Sequence, residues 1–554
     1  MRKSFFLVAA FSAFAACSSK EGSQSAAGAT GGTLIFASSS DADAIFPPFV
    51  TDITGRMLED QIFDRLAEIG PDLRTVGDQG FSPRLAQKWV WAPDSLSIAF
   101  SIDPRARWHD GKPVTAADVR YSFKTYVDPK VGSPVAPTLT NLDSVSVRDS
   151  LTAVAWFKKR TPEQFYDVAY QVVIFPEHVY GNIPPEQLHT SDATRKLVGS
   201  GRFRFVKWDA GSRIEIVSDT ANFRGRAKLD RVIVVKTDPA TEKAQLLSGQ
   251  ADFMEAFPPD QIAKLDSNAF ARALAFPQLG YTFMAMNVFT PKSKTVPHPI
   301  FSDIRVRRAL SMSVDRVAML RNVFGERGRL AHGPFPMTLG VADSTIHPAG
   351  YDTTAAKAML DSSGWRVGPN GMRAKNGRPL RFTLISATSS ITRGLYGVLL
   401  QEQFRKIGAQ VDFDNLDPQA YLPRMFAGDF DAILGSYGTD PSVTGTKQNW
   451  GTAGIGGQNF FRYSNHTVDA LLDSATSAFD PAKMKTYSSR AFQTIIDDIP
   501  AIWLYDLLVV NAVNRRFDTA PTRADGWWAN LADWSVAPNK RIDRDRIGLA
   551  QPKP

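Results

Sequence analysis

Hydrophobic positions in this chain alternate between two periods, one of two residues and one of three to four. "SLSIAFSI" at 95–102 sets apolar side chains at every second position, and "TLIFAS" at 33–38 is a short apolar run; both predict strands. "RIEIVSD" (213–219) and "RVIVVKTD" (231–238) predict two more, separated by the turn-rich "TANFRGRAKLD". "TGRMLEDQIFDRLAEI" (54–69) brings Met57, Ile62, Leu66 and Ile69 near one face, which predicts a helix. The same period predicts helices over 304–324 and 392–408, while "GYTFMAMNV" (280–288) and "IPAIWLYDLLVVNAV" (499–513) read as apolar and extended. Strands and helices mix without a fixed repeat, so the class is α/β, or α+β with mixed sheets. A length of 554 residues is too great for one core and implies three or four units of about 150 residues.

The N-terminus departs from that pattern. "MRK" is a short basic segment, and Ser4–Ala16 is an apolar run shorter than the roughly 20 residues that span a bilayer. It has the form of a secretory signal peptide over residues 1–16. The run ends in "FAAC", and Cys17 is the only cysteine in the chain, so no internal disulfide or cysteine-based zinc site can form. In this position Cys17 resembles the lipidated cysteine of a bacterial lipobox. The Ser-, Gly- and Ala-rich stretch that follows, to residue 32, cannot bury apolar surface and reads as a tether. These features predict a protein of the cell envelope, lipid-anchored to a bacterial membrane on its periplasmic or extracellular face.

Composition adds an exclusion. With 43% hydrophobic and 22% charged residues the body is an ordinary soluble globular protein. Its charge of +8 comes only in short knots such as "KKR" (158–160) and "RVRR" (305–308). Nucleic-acid binders concentrate basic residues in longer stripes, so no nucleic-acid partner is expected.

The most suggestive chemical pair is His109–Asp110, within "RARWHDGKPVTAADVRYSF" (105–123). Asp-Gly followed by Pro is turn chemistry, and Thr115 with Asp118 fits a capping box at a helix start. Every residue has a structural task there, so the pair is read as a corner on the solvent side, not a catalytic dyad. The seven histidines are dispersed, and no nucleophile elbow, zinc helix or phosphate loop occurs. No catalytic residue, metal site or cofactor is predicted.

That same stretch closely resembles the signature of family 5 extracellular solute-binding proteins, the oligopeptide and dipeptide receptors of ABC importers. Further segments resemble the family in the same order: 82–102, 199–225, "KAQLLSGQADF" (243–253), "FSDIRVRRALSMSVDR" (301–316), "FFRYSNHTVDALLDSA" (460–475) and "IIDDIPAIWLY" (495–505). The resemblance implies the large, three-domain form of the two-lobed periplasmic-binding fold, with a ligand cleft between lobes. Domain I would comprise 33–75, 196–284 and 505–554; domain II, 76–195; and domain III, 285–504. The chain would cross between lobes near 280–288 and return near 499–513. It also implies a monomer that captures a peptide and presents it to permease subunits, with no catalysis.

By the same resemblance, Asp440 matches an aspartate that anchors the peptide amine, and Tyr437 stands where the family has tryptophan. Pro441 follows at once, so Asp440 equally fits the start of an Asp-Pro turn. Trp450 and Phe460 flank this loop system and fit either an apolar wall or core packing. Ser39 and Asp41 resemble part of the family's cleft-lining first loop. Within this fold other members take nickel complexes, oligosaccharides or opine-like molecules, so the ligand class stays open. A secreted hydrolase or a chaperone-like envelope protein are readings of other classes, and the first lacks a nucleophile.

Overall fold

A computed structural model describes residues 30–545 apart from 259, 260 and 294. Cys17, the signal segment and most of the tether lie outside the described residues. The body is a mixed α/β structure of two lobes organised on one ten-stranded sheet. Thr33–Ser38 lies inside that sheet, parallel to Arg231–Lys236 on one side and to Phe253–Met254 on the other. Arg213–Ser218 and Phe203–Asp209 extend it antiparallel.

Two long strands join the lobes. Ala271–Met286 and Ala501–Asn514 pair antiparallel from Ala271↔Asn514 to Ala285↔Ala501. One end of the pair borders the first lobe, where Phe253 lies opposite Val513. The other end borders Ala432–Gly438, which continues into Arg381–Ala387 and Gln410–Leu416 of the second lobe. The ladder slips between Pro277 and Tyr281, where Pro277 has no N–H to contribute. Both strands lie where the sequence predicts extended crossings, and the slip falls at the boundary between the lobes.

The first lobe packs a four-stranded antiparallel sheet, built from Ala86–Trp91, Ser97–Ile102, Leu142–Asp149 and Thr152–Phe157, onto the same apolar core as the main sheet. Its corner carries the His-Asp stretch. The Thr115 N–H donates to Asp118 Oδ2 at 2.8 Å, closing the cap of helix Ala116–Val127. His109 and Asp110 do not bond to each other: Asp110 takes His178 at 2.7 Å, while His109 turns inward. Gly199 N–H donates to His109 Nδ1 at 3.2 Å, leaving Nε2 to donate to the Gly201 carbonyl at 2.9 Å. His109 is only 8% exposed, so the expected solvent-side position is corrected to a buried one. Gly199 and Gly201 are required beneath it, since an added Cβ would lie 1.9 and 2.3 Å from carbonyls of the helix end at Ile62 and Gln61.

Two helix expectations also change. The helix predicted over 54–69 ends as Ile53–Ile62, and the following residues form two-residue strands against Val173–Ile174 and Ser82–Pro83. Leu66 and Ile69 are buried as predicted, but beside these short strands and in two different apolar cores, not on one helix face. The predicted helix 304–324 is two, Ile304–Met312 and Arg316–Phe324. Ser313 returns its hydroxyl to the Leu310 carbonyl, and Asp315 caps the second helix through Ala318 N–H. Short polar side chains that bond the local backbone break a helix that hydrophobic spacing alone would continue.

Candidate functional site

A cavity of about 620 Å³ lies between the lobes, its floor formed by Gln278, Leu279 and Leu507 at the slip in the long strands. That volume is within the range of about 300–1,000 Å³ found for ligand sites.

The first-lobe wall is a charged lattice. Helix Ile53–Ile62 places Arg56, Glu59 and Asp60 toward the cavity, a stripe at helical spacing. Arg65 donates to Asp60 at 2.6 Å and lies 4.4 Å from the centre of the Tyr170 ring. Trp528 Nε1 donates to the other Asp60 oxygen at 2.7 Å. Tyr170 donates its hydroxyl to Asp525 at 2.5 Å, and Arg523 joins Asp525 to Glu68 at 2.6 and 2.7 Å. Burial pushes Glu68 up, but Arg84, Arg523 and Arg65 prevail and hold it at about 2. Glu59 has no such support: burial, with Asp60 adding to it, raises its carboxyl to about 8 despite Arg65 and Arg56. Arg56 makes no ion pair among the described residues, and it is the free cation of this wall.

The second-lobe wall comes from the turn after strand Ala432–Gly438. Thr439 N–H is pinned to the Leu279 carbonyl of the hinge at 2.8 Å, which fixes where the next residue points. Asp440 Oδ1 accepts the Ser442 N–H at 2.9 Å, so the residue does begin a turn. It also lines the cavity, and its Oδ2 has no partner among the described residues. The residue is exposed within the cleft, and the protein around it, by limiting solvation, raises its carboxyl above the usual range, the Ser442 N–H opposing. Two residues on, Ser442 Oγ donates across the lobe boundary to Glu163 at 2.7 Å, and Thr75 holds the other Glu163 oxygen at 2.5 Å.

The remaining residues predicted for the site fall elsewhere. Tyr437, Trp450 and Phe460 are buried in the second-lobe core around Phe283, not on the cavity wall. Tyr437 gives its hydroxyl to the Gln458 carbonyl, and Trp450 Nε1 donates to Tyr281 at 2.7 Å. Of the two alternatives for Trp450 and Phe460 the structure has core packing, Trp450 from the end of helix Thr444–Trp450 and Phe460 from a turn, and Tyr437 joins them from strand Ala432–Gly438 instead of facing ligand. Asp41 accepts from Gly211 N–H at 2.6 Å and from Trp208, and Ser39 takes Lys236 on its carbonyl; neither lines the cavity. The first loop reaches the cavity further on, through Pro47 and Val50. Sequence reasoning missed Arg56, Glu59, Tyr166, Tyr170 and Asp525. Only the charged stripe 56–59–60 left a local signal; the others come from segments hundreds of residues apart.

Among the described residues no group of three or more His, Cys, Asp or Glu side chains is placed to hold a metal ion. No described helix is long and apolar enough to cross a membrane.

Known proteins share this arrangement. A family model, bacterial extracellular solute-binding proteins, family 5 Middle, matches residues 80–456. The oligopeptide-binding protein AppA of Bacillus subtilis is 25% identical over 505 residues, covering 88% of this chain and 90% of its own. Its structure in complex with a nonapeptide superposes with a TM-score of 0.67 at 23% identity, covering 92% of this chain and 99% of that one. NikZ of Campylobacter jejuni in complex with Ni(L-His) gives 0.69 at 22% identity, covering 91% and 99%. The family model spans more than half of the residues, and the two lobes close over a cleft of ligand size. The chain therefore belongs to the family 5 bacterial extracellular solute-binding proteins, substrate-binding receptors of ABC transporters and not enzymes.

Proposed function

We propose that this chain captures peptides with a free amino terminus in the inter-lobe cleft and delivers them to membrane permease subunits. The observation that carries this reading is Asp440. A carboxylate on the cleft wall with an open oxygen, and no cation paired to it among the described residues, is suited to take an ammonium through a charge-assisted hydrogen bond. Its neighbour Ser442 bridges to the opposite lobe, so filling the site and closing the lobes are coupled. Ligand then favours the closed form in proportion to its differential affinity for the two states. AppA, an oligopeptide-binding protein, supports the peptide class; NikZ, with its nickel–histidine ligand, is the reason to test chelates as well.

The domain division is that of the family: 33–75, 196–284 and 505–554 as domain I, 76–195 as domain II and 285–504 as domain III. The receptor acts as a monomer, held to the envelope by lipid on Cys17. A thermal-shift screen of short peptides, oligosaccharides and metal chelates tests the ligand class, because a solute bound only by the folded state raises the melting temperature. Stabilisation by chelates or sugars and not by peptides would overturn it. The anchor is tested separately: Cys17→Ser should move the protein from the membrane to the soluble fraction after detergent-free lysis, and retention on the membrane would refute lipidation.

A further inference from the structure

The first-lobe wall of the cleft carries two ionisable side chains that the fold leaves unused. Arg56 and Glu59 stand three residues apart on helix Ile53–Ile62, a spacing that puts them on one face, and both line the cavity. They form no ion pair with each other, and neither has a hydrogen-bond partner among the described residues. Their charged neighbours on this wall are engaged: Arg65 holds Asp60, and Arg523 holds Asp525. Glu59 is only 8% exposed, and the exposed remainder opens on the cavity. A carboxyl buried to this degree without a partner is a group awaiting a ligand atom.

The chemistry of the pair indicates what that atom belongs to. Burial, reinforced by Asp60, outweighs Arg65 and Arg56 and keeps the Glu59 carboxyl protonated up to about pH 8; Tyr126 also faces it. A protonated carboxyl and a guanidinium both donate hydrogen bonds, and together they present one positive charge. Their complement is an acceptor that carries negative charge, and the planar fork of arginine fits the two oxygens of a carboxylate. An ammonium placed here would meet Arg56 as a like charge. Asp440, on the opposite lobe, lines the same cavity with an open oxygen. No cation is among the groups that set its acidity, so the two places are separate.

We propose that Arg56 and Glu59 form a carboxylate-binding end of the cleft, which takes the C-terminal carboxylate of a short peptide whose amine lies on Asp440. The inference rests on the peptide reading. A cavity of about 620 Å³ has the size that encloses a drug-sized ligand, so a peptide held at both ends is a short one. Arg56 supplies the charge, and Glu59 donates its proton to a carboxylate oxygen. Binding therefore needs Glu59 protonated: it takes up protons near pH 8 and weakens as pH rises above that value.

Calorimetry with Ala-Ala-Ala and its C-terminal amide, which differ in one charged group, tests the assignment. Wild type should bind the acid at least about tenfold tighter than the amide. Arg56→Gln, at an exposed helical position, should bring the two within about threefold and leave the melting temperature unchanged. Glu59→Gln keeps a donor but has no proton to lose. It should retain the preference for the acid, and its affinity should fall less than that of wild type between about pH 7 and 9; the peptide amine titrates alike against both proteins, so the difference reports Glu59. Should Glu59→Gln fail to fold, the acid-to-amide ratios of wild type and Arg56→Gln decide. Equal binding of acid and amide, a preference that survives Arg56→Gln, or parallel pH profiles of wild type and Glu59→Gln overturns this inference and leaves peptide capture standing. Glutarate bound by wild type and not by Arg56→Gln, with no peptide bound, overturns peptide capture and keeps the carboxylate end. Binding of none of the three overturns both.

Discussion

Two acidic groupings in this molecule use the same residue types to opposite effect. In the first lobe, Asp252 and Asp545 are buried around Arg516, at 3.1 and 2.5 Å, and Arg544 adds a second contact to Asp252 at 2.5 Å. The remaining carboxylate oxygens accept backbone amides of strand Thr33–Ser38, from Ile35 at 3.0 Å and Thr33 at 2.7 Å. Both carboxylates have their cations and their hydrogen bonds, and the group clasps the C-terminal segment to the central sheet. Between the lobes, no cation pairs with Glu163, Asp167 or Asp440 among the described residues; Glu163 accepts only the Thr75 and Ser442 hydroxyls, and Asp440 Oδ2 accepts from none of them. The contrast separates structure from function: a buried acid with its partner present holds the fold, and one whose partner is missing marks the place of a ligand.

The comparison breaks most visibly at Arg516. Arg516→Met leaves buried Asp545 without its cation and Asp252 with Arg544 alone, and should cost about 3–5 kcal/mol in a urea titration. A loss below about 1 kcal/mol would place the clasp with ordinary surface pairs and remove one side of the contrast. Asp440→Ala should act on binding instead, weakening a free-amine peptide by about 2–5 kcal/mol, roughly 30- to 5000-fold. N-acetylating the peptide should weaken wild type strongly and the alanine variant much less, because both changes delete one interaction. Additive losses across the four combinations would reduce Asp440 to a turn residue.

Acidity sharpens the comparison further. Asp167 rises from an ordinary 3.8 to about 8 on folding, so the folded protein binds its proton more tightly than the unfolded chain. Its contribution to stability is full below about pH 4 and is lost as pH climbs to about 8. The melting temperature of the ligand-free protein should therefore fall between pH 5 and 8. Glu59, at about 8, and Asp506, at about 7, act with the same sign, so the informative quantity is the difference from Asp167→Asn, whose profile should be flatter. Parallel profiles would show that Asp167 is not under the field of its neighbours.

The smallest effect is expected at His109. His109→Gln removes a ring bonded on both nitrogens to the glycine turn and should lower stability on the order of 1 kcal/mol, with peptide affinity within about threefold. A collapse of affinity at unchanged melting temperature would give the corner a binding role.

Local rules made much of this protein legible. Strands at 33–38, 213–219 and 231–238, the capping box at Thr115 and Asp118, and the two long apolar crossings follow from periodicity and turn chemistry, whose range is a few residues. The ordered family segments carried the two-lobed architecture and the absence of catalysis. Asp440 was singled out by the same route, and the cavity at its side chain was not visible there. Tertiary structure alone decided that Tyr437, Trp450 and Phe460 face a filled core, that His109 is buried, and that residues near 163 confront residue 440. Hydrophobic period tells a side chain to leave water but not which neighbour it meets. Burial and charge compensation are sums over segments that only the closed chain brings together, and the same aspartate becomes clasp or receptor according to whether an arginine arrives beside it.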